Sequence, residues 1–249
     1  MEGGVTWLGH ATVLLGLDGA RLLTDPVLRK RVGPLVRIAP AIEPGAVEGI
    51  DAVLLSHLHA DHADVPSLRR LGAATPVFAP RGAGKWLTKR GARDVHEMDP
   101  GDEADIGALR ITATPAEHDG KRPLGPSEAE SIGFVVRGSH GVYFAGDTDL
   151  FDGMKEAVGS VDVALLPVWG WGPSLGPGHL NPERAATAAA ELAPQIAVPI
   201  HWGTFALLRP GPRLPDPEQP AREFAALTAE KAPGVDVRVL APGERIELV

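Results

Sequence analysis

Hydrophobic positions in the first quarter of the chain come in short runs broken by Gly, Asp or Pro. Val5 to Gly9 (VTWLG), Thr12 to Leu17 (TVLLGL), Ala20 to Asp25 (ARLLTD) and Ala52 to Ser56 (AVLLS) are rich in Val, Leu and Thr, as β-strands are. Leu17-Asp18-Gly19-Ala20 sets an Asp-Gly turn between two of these runs, which predicts a hairpin. Asp64 to Gly72 (DVPSLRRLG) and Gly82 to Gly91 (GAGKWLTKRG) read as helices, each closed by Gly. PVFAP, DVHEM and ALRITATP fall between and beyond them as strands.

The second half opens with IGFVVRG and GVYFAGD, a second hairpin. Val161 to Val168 (VDVALLPV) then leads into a Trp/Gly/Pro loop, WGWGPSLGPGHL. Asn181-Pro182 starts a helix running through Leu192, with Asn as its cap and Pro at its first position. IAVPIHWG is the next strand, and a Pro-rich loop, RPGPRLPDPEQP, precedes a last helix from Ala221 to Lys231. VDVRVL and RIELV end the chain as strands. No internal repeat and no obvious linker interrupts this order, so one domain over residues 1–249 is expected, with two sheets between helix layers.

Composition narrows the function classes. The formal net charge is −8, so the overall electrostatic footprint for nucleic acid or an anionic membrane is missing, although a local basic groove stays open. There is no Cys, which excludes disulfides, thiolate ligands and a Cys nucleophile. Any metal must therefore be held by His, Asp or Glu. Met1 to Gly9 shows no basic segment followed by a long apolar one, and no apolar run approaches the ~20 residues that span a bilayer. A cytoplasmic protein acting on a small molecule is expected, with homo-oligomerisation left open.

One stretch changes the picture. Ser56 to His62 reads SHLHADH, three His and an Asp crowded behind an apolar strand. Residues i and i+2 of an extended segment face the same way, so His57 and His59 can grip one ion while Asp61 and His62 turn to a neighbouring position. Four ligands on so short a loop cannot share one small site, which points to two metals. Further candidates stand at strand ends: His118 after RITATP, Asp147 in FAGDTD, and His201 at the end of AVPIH.

This series, HxHxDH followed by a single His, a single Asp and a final His, resembles the metallo-β-lactamase superfamily. VTWLGHATV, LTDPV, LLSHLHADH, TPAEHDGKR, YFAGDTD, GHLNPERA and IHWGTFAL are similar to segments of one group within it. That group includes N-acyl-phosphatidylethanolamine phospholipase D, and the L-ascorbate 6-phosphate lactonases share its broader layout. The resemblance implies an αββα sandwich, two mostly antiparallel sheets flanked by helices. It also implies that His57, His59 and His118 bind a first metal, that Asp61, His62 and His201 bind a second, and that Asp147 bridges both. A hydroxide held between two such ions is a strong nucleophile at neutral pH. Asp61 would orient it and help protonate the leaving group, and Asp25 would brace the histidine loop from behind. Zinc suits these ligands first, and manganese and iron accept them too.

Other residues are weighed one by one. His96 and His140 lie outside any ligand motif and are expected to be ordinary surface or satisfied residues. His10 and His179 match the family segments, and His179 precedes a helix start where an anionic group could settle, so a substrate-facing, catalytic role is expected of it. Trp169, Trp171 and Trp202 are candidates to line a pocket, with core packing as the alternative. The expected activity is a hydrolase acting on a phosphodiester or a phosphorylated small molecule, not a true β-lactamase. A lactonase is the alternative, ahead of a non-catalytic metal-binding module. A diiron redox enzyme is disfavoured because such proteins usually carry Glu where His59 stands, and a nuclease is disfavoured by the acidic charge.

Overall fold

The computed structural model describes residues 3–119, 129–172, 175–208 and 216–248. The chain opens with three strands, β1 (Gly3–Gly9), β2 (Thr12–Leu17) and β3 (Ala20–Thr24), which pair antiparallel in order. At the predicted hairpin Asp18 and Gly19 sit at φ 47° and 86°, the left-handed pair that a two-residue turn needs. Two very short strands, β4 (Arg31–Val32) and β5 (Leu35–Arg37), and a 3₁₀ turn at Pro44–Val47 lead to β6 (Ala52–Leu54). The helix α1 (Val65–Leu71) follows, capped by the Asp64 side chain, which accepts from the Ser67 N–H. After it come β7 (Val77–Pro80), the five-residue α2 (Gly84–Thr88) and β8 (Val95–Met98).

The second half repeats the plan with its own residues. The strands β9 (Glu103–Ile106), β10 (Leu109–Pro115), β11 (Ile132–Arg137) and β12 (Gly141–Phe144) form an antiparallel meander. There follow α3 (Met154–Val158), β13 (Val163–Pro167), α4 (Pro182–Leu192), β14 (Ile196–Ile200) and β15 (Phe205–Leu207). The last elements are α5 (Gln219–Lys231), β16 (Asp236–Val237) and β17 (Arg245–Leu248). Asn181 caps α4 as its sequence predicts, its side chain accepting from the Arg184 N–H.

Two sheets with helices on their outer faces result, ordered β17-β1-β2-β3-β6-β7-β8 and β16-β14-β13-β12-β11-β10-β9, beside a small sheet β15-β5-β4. The expectation of mostly antiparallel sheets needs correcting. In each large sheet, half of the pairings between described strands are parallel: β3/β6/β7/β8 in one and β12/β13/β14/β16 in the other. Parallel neighbours require a crossover: α1, α2, α3, α4 and α5 supply five of the six, and the segment carrying β4, β5 and the 3₁₀ turn joins β3 to β6. Alternation across β6 and β7 shows the layers. Ala52, Leu54 and Phe78 join the core between the sheets, whereas Val53, Leu55, Val77 and Ala79 pack under α1 and α2 with Leu68, Trp86 and Leu87. Burial on both faces is why AVLLS reads as an unbroken apolar run. Among the described residues, no helix is long and apolar enough to cross a membrane.

Candidate metal centre

The candidate residues leave the carboxyl ends of strands on both sheets and meet at one rim of the sandwich. His57, His59, Asp61 and His62 lie on the loop after β6, His118 follows β10, Asp147 follows β12, and His201 follows β14. The ligand atoms of His57, His59 and His118 all lie within 4.8 Å of one another, and so do those of His10, Asp61, His62 and His201. Asp147 stands between the groups. Its Oδ2 is 3.2 Å from His62 Nε2 and 4.0 Å from His57 Nε2, and its Oδ1 is 3.3 Å from His201 Nε2.

Hydrogen bonds on the far side of each ring decide which nitrogen is free. His201 Nδ1 donates to the Trp169 carbonyl at 2.6 Å, and His118 Nδ1 donates to the Gly178 carbonyl at 2.8 Å. His62 Nδ1 donates to Asp25 Oδ2 at 2.7 Å. Ser56 Oγ gives its proton to Asp25 at 2.5 Å and so accepts from His57 Nδ1 at 2.9 Å. Four imidazoles are thereby set to present an Nε2 lone pair inward. His62 Nε2 and His201 Nε2 face each other at 3.0 Å, and His57 Nε2 and Asp147 Oδ1 are buried with no hydrogen-bond partner among the described residues. Lone pairs pointed together in this way repel unless a cation lies among them, so the donor set fits a divalent metal.

The electrostatics agree. Burial pushes the His118 imidazole down to about 4, and burial with His62 alongside holds His57 well below its usual range, so both rings are neutral at pH 7. Burial would lower His62 too, yet Asp147 and Asp25 on either side raise it well above its ordinary value. The centre calls for positive charge at that point, as a proton or as a cation. Burial would raise the Asp147 carboxyl, but His201 and His62 hold it well below the usual carboxylate range.

Asp25 lies behind the histidine loop, fully buried, with Oδ1 accepting the Ser56 N–H at 2.7 Å. Ser56 itself was not singled out by its sequence, although standing between a strand and the first His is a usable signal. His10, Asp25 and His201 are non-glycine residues at positive φ (55°, 31° and 64°), and all three lie in the centre. Backbone held in that region is costly and collects where surrounding contacts impose it.

A cavity of about 370 Å³ opens over the centre, lined by His59, Asp61, Asp147, Trp171, Leu175 and His179 among others. His179 donates from Nδ1 to the carbonyls of Pro177 (3.0 Å) and Gly176 (3.2 Å), which turns Nε2 toward Asp147 Oδ2 at 3.6 Å. Of the three tryptophans, Trp171 forms a cavity wall. Trp169 contributes through its carbonyl, its indole donating to Gly172 O. Trp202 does not reach the cavity: its ring is buried and stacked on Trp7, centroids 4.7 Å apart, so here core packing prevails. His140 and His96 lie outside the centre; His96 pairs with Asp94 at 2.8 Å. The Pro-rich loop lies outside the described residues from 209 to 215, as do 173–174 of the Trp/Gly/Pro loop.

Known proteins resemble this chain. A family profile described as "Beta-lactamase superfamily domain" matches residues 20–202, a span holding every candidate above except His10 and so about three quarters of the chain. A UPF0173 metal-dependent hydrolase of Methanopyrus kandleri is 34% identical, the match covering 98% of this chain and 99% of that protein. N-acyl-phosphatidylethanolamine-hydrolyzing phospholipase D 1 of Caenorhabditis elegans is 30% identical over 80% of this chain and 64% of its own length. Among solved structures, a metallo hydrolase of Ignicoccus hospitalis superposes with a TM-score of 0.74 at 25% identity, covering 100% of this chain and 99% of that one. With a fitting donor set at the rim of such a sandwich, the chain belongs to the metallo-β-lactamase superfamily and is a metal-dependent hydrolase.

Proposed function

We propose that the chain works with two divalent cations, zinc first, and cuts a phosphodiester or a phosphorylated small molecule. The observation that carries this reading is the set of four imidazoles anchored through Nδ1, with their Nε2 atoms turned to a centre crossed by the Asp147 carboxylate. His57, His59 and His118 would hold one cation, Asp61, His62 and His201 the other, and Asp147 both. Cations bound there would lower the pKa of a water between them and polarise the bond to be cut.

The remaining work falls to side chains. Asp61 would orient the attacking water from the cavity floor. His179, anchored by two carbonyls with Nε2 facing the cavity, would pass a proton to the leaving group. Trp171 and Leu175 would shield the reacting bond from bulk solvent. The C. elegans relative is by name a phospholipase D, which supports a phosphodiester.

A neutral lactone is the second reading, favoured by one observation. Among the described residues the cavity lining holds no Lys or Arg to face a phosphate. The test is a panel of the metal-loaded protein against bis(p-nitrophenyl) phosphate, a phosphomonoester, a lactone and a β-lactam. The phosphodiester should be turned over fastest. Efficient turnover of the β-lactam with the others inert would refute both readings.

A further inference from the structure

One oxygen of Asp61 draws two donors. Oδ2 receives the Trp171 indole N–H at 2.9 Å and His10 Nε2 at 3.1 Å. An ionised carboxylate only accepts, so His10 presents Nε2–H to it. The two donors reach this oxygen from distant parts of the chain. His10 sits in the turn between β1 and β2, where its N–H donates to Thr204 Oγ1 at 2.6 Å and its carbonyl accepts from the Trp7 indole and the His201 N–H, both at 2.9 Å. Trp171 comes from the loop after β13, is 38% exposed and walls the cavity.

His10 could itself be taken for a ligand, since its ring nitrogen falls within reach of Asp61, His62 and His201. Its hydrogen bond argues otherwise: Nε2 gives its proton to Asp61 Oδ2 at 3.1 Å and so has no lone pair for an ion.

We propose that His10 and Trp171 are positioning residues, a two-donor clamp on Asp61 Oδ2, the oxygen 3.9 Å from His62 Nε2, that fixes how this carboxylate faces a cation beside His62 and His201. The clamp also hangs a wall of the cavity on that same carboxylate, so the shape of the substrate site and the posture of a ligand are set together. For the presence of the cation it rests on the two-cation reading above; the hydrogen bonds do not.

The test titrates zinc into chelator-stripped wild-type protein and the variants His10→Phe, His10→Gln and Trp171→Phe. Phe keeps each ring and removes the donor, while Gln returns a donor near the Nε2 position of His10. Each Phe variant should weaken the second zinc equivalent by about 10–100-fold, the range usual for partners behind a ligand, and leave the first within about twofold. His10→Gln should recover most of the loss. Equal weakening of both equivalents, or no change in either, overturns the clamp. A wild-type stoichiometry of one refutes the two-cation reading instead, and the clamp is then decided by nuclear magnetic resonance of the metal-free protein. There the Trp171 indole N–H signal, assigned by its absence in Trp171→Phe, should move in Asp61→Ala. A signal that stays in place overturns the clamp whatever the zinc count.

Discussion

The two flanks of the centre are built differently. On the deep flank His10, His62 and His201 are 1%, 0% and 2% exposed, and their ring partners are Asp61, Asp25 and a main-chain carbonyl at the end of β13. On the open flank His59 and His118 are half-buried, and His118 leans on the Gly178 carbonyl in the loop that also carries His179. Close-packed strand ends leave the deep flank no room to adjust, whereas the open flank is framed by loop. On the reading proposed above, the deep flank would fix ligand geometry, and the open flank would admit substrate and let products go.

Several substitutions would break or sharpen that division. The largest effect is expected from Asp147→Ala, because the Asp147 carboxylate faces imidazoles of both flanks directly. Elemental analysis should find most of both metal equivalents gone and hydrolysis lost with them; a variant that keeps two equivalents would dissolve the idea of a shared ligand. Next comes His179→Ala on the open flank, which should leave both metals bound while kcat/KM falls by a factor on the order of 10²–10⁴, as loss of a proton-transferring group does. A smaller loss confined to KM would reduce His179 to uniform binding.

Behind the ligands, Asp25→Ala removes the anchor of His62 directly and that of His57 through Ser56. Both equivalents should weaken, by roughly 10–100-fold, in a chelator competition. Ser56→Ala is the finer cut and the smallest effect. It strips His57 of its partner while Asp25 still holds His62, so the loss should be at most about tenfold and confined to one equivalent. If Ser56→Ala and Asp25→Ala prove equal, the two flanks do not have separate supports.

Parts of this were legible from the chain alone for identifiable reasons. The Asp18-Gly19 hairpin and the Asn181-Pro182 helix start are local: a left-handed pair and a side-chain cap need only neighbouring residues. SHLHADH stood out because four ligating side chains so close have no ordinary use in a turn. The small sheet escaped because β4, β5 and β15 are two or three residues long, too short to show any period, and α3 spans five residues. The parallel halves escaped because a buried apolar run such as AVLLS is the same whichever way its neighbour runs. For Trp202 the sequence left pocket wall and core packing both open. Successive side chains at a strand end point to opposite faces, so it turns to Trp7 as His201 turns to the centre.

What the sequence determined by itself is therefore a set of chemical types in order: short strands, ligand-bearing loops behind several of them, no thiol, and a helix start after His179. Those follow from local propensity and from ligand chemistry, which need no third dimension. Only the tertiary structure decided which nitrogen of His57, His62, His118 and His201 faces inward, and that two donors from distant parts of the chain close on one oxygen of Asp61. Each of these depends on atoms that are close in space and far apart in sequence. His10 and Asp61 are 51 positions apart, Trp171 and Asp61 are 110, and His62 and His201 are 139. No periodicity or motif spacing encodes such distances, because they exist only once the two sheets have packed face to face.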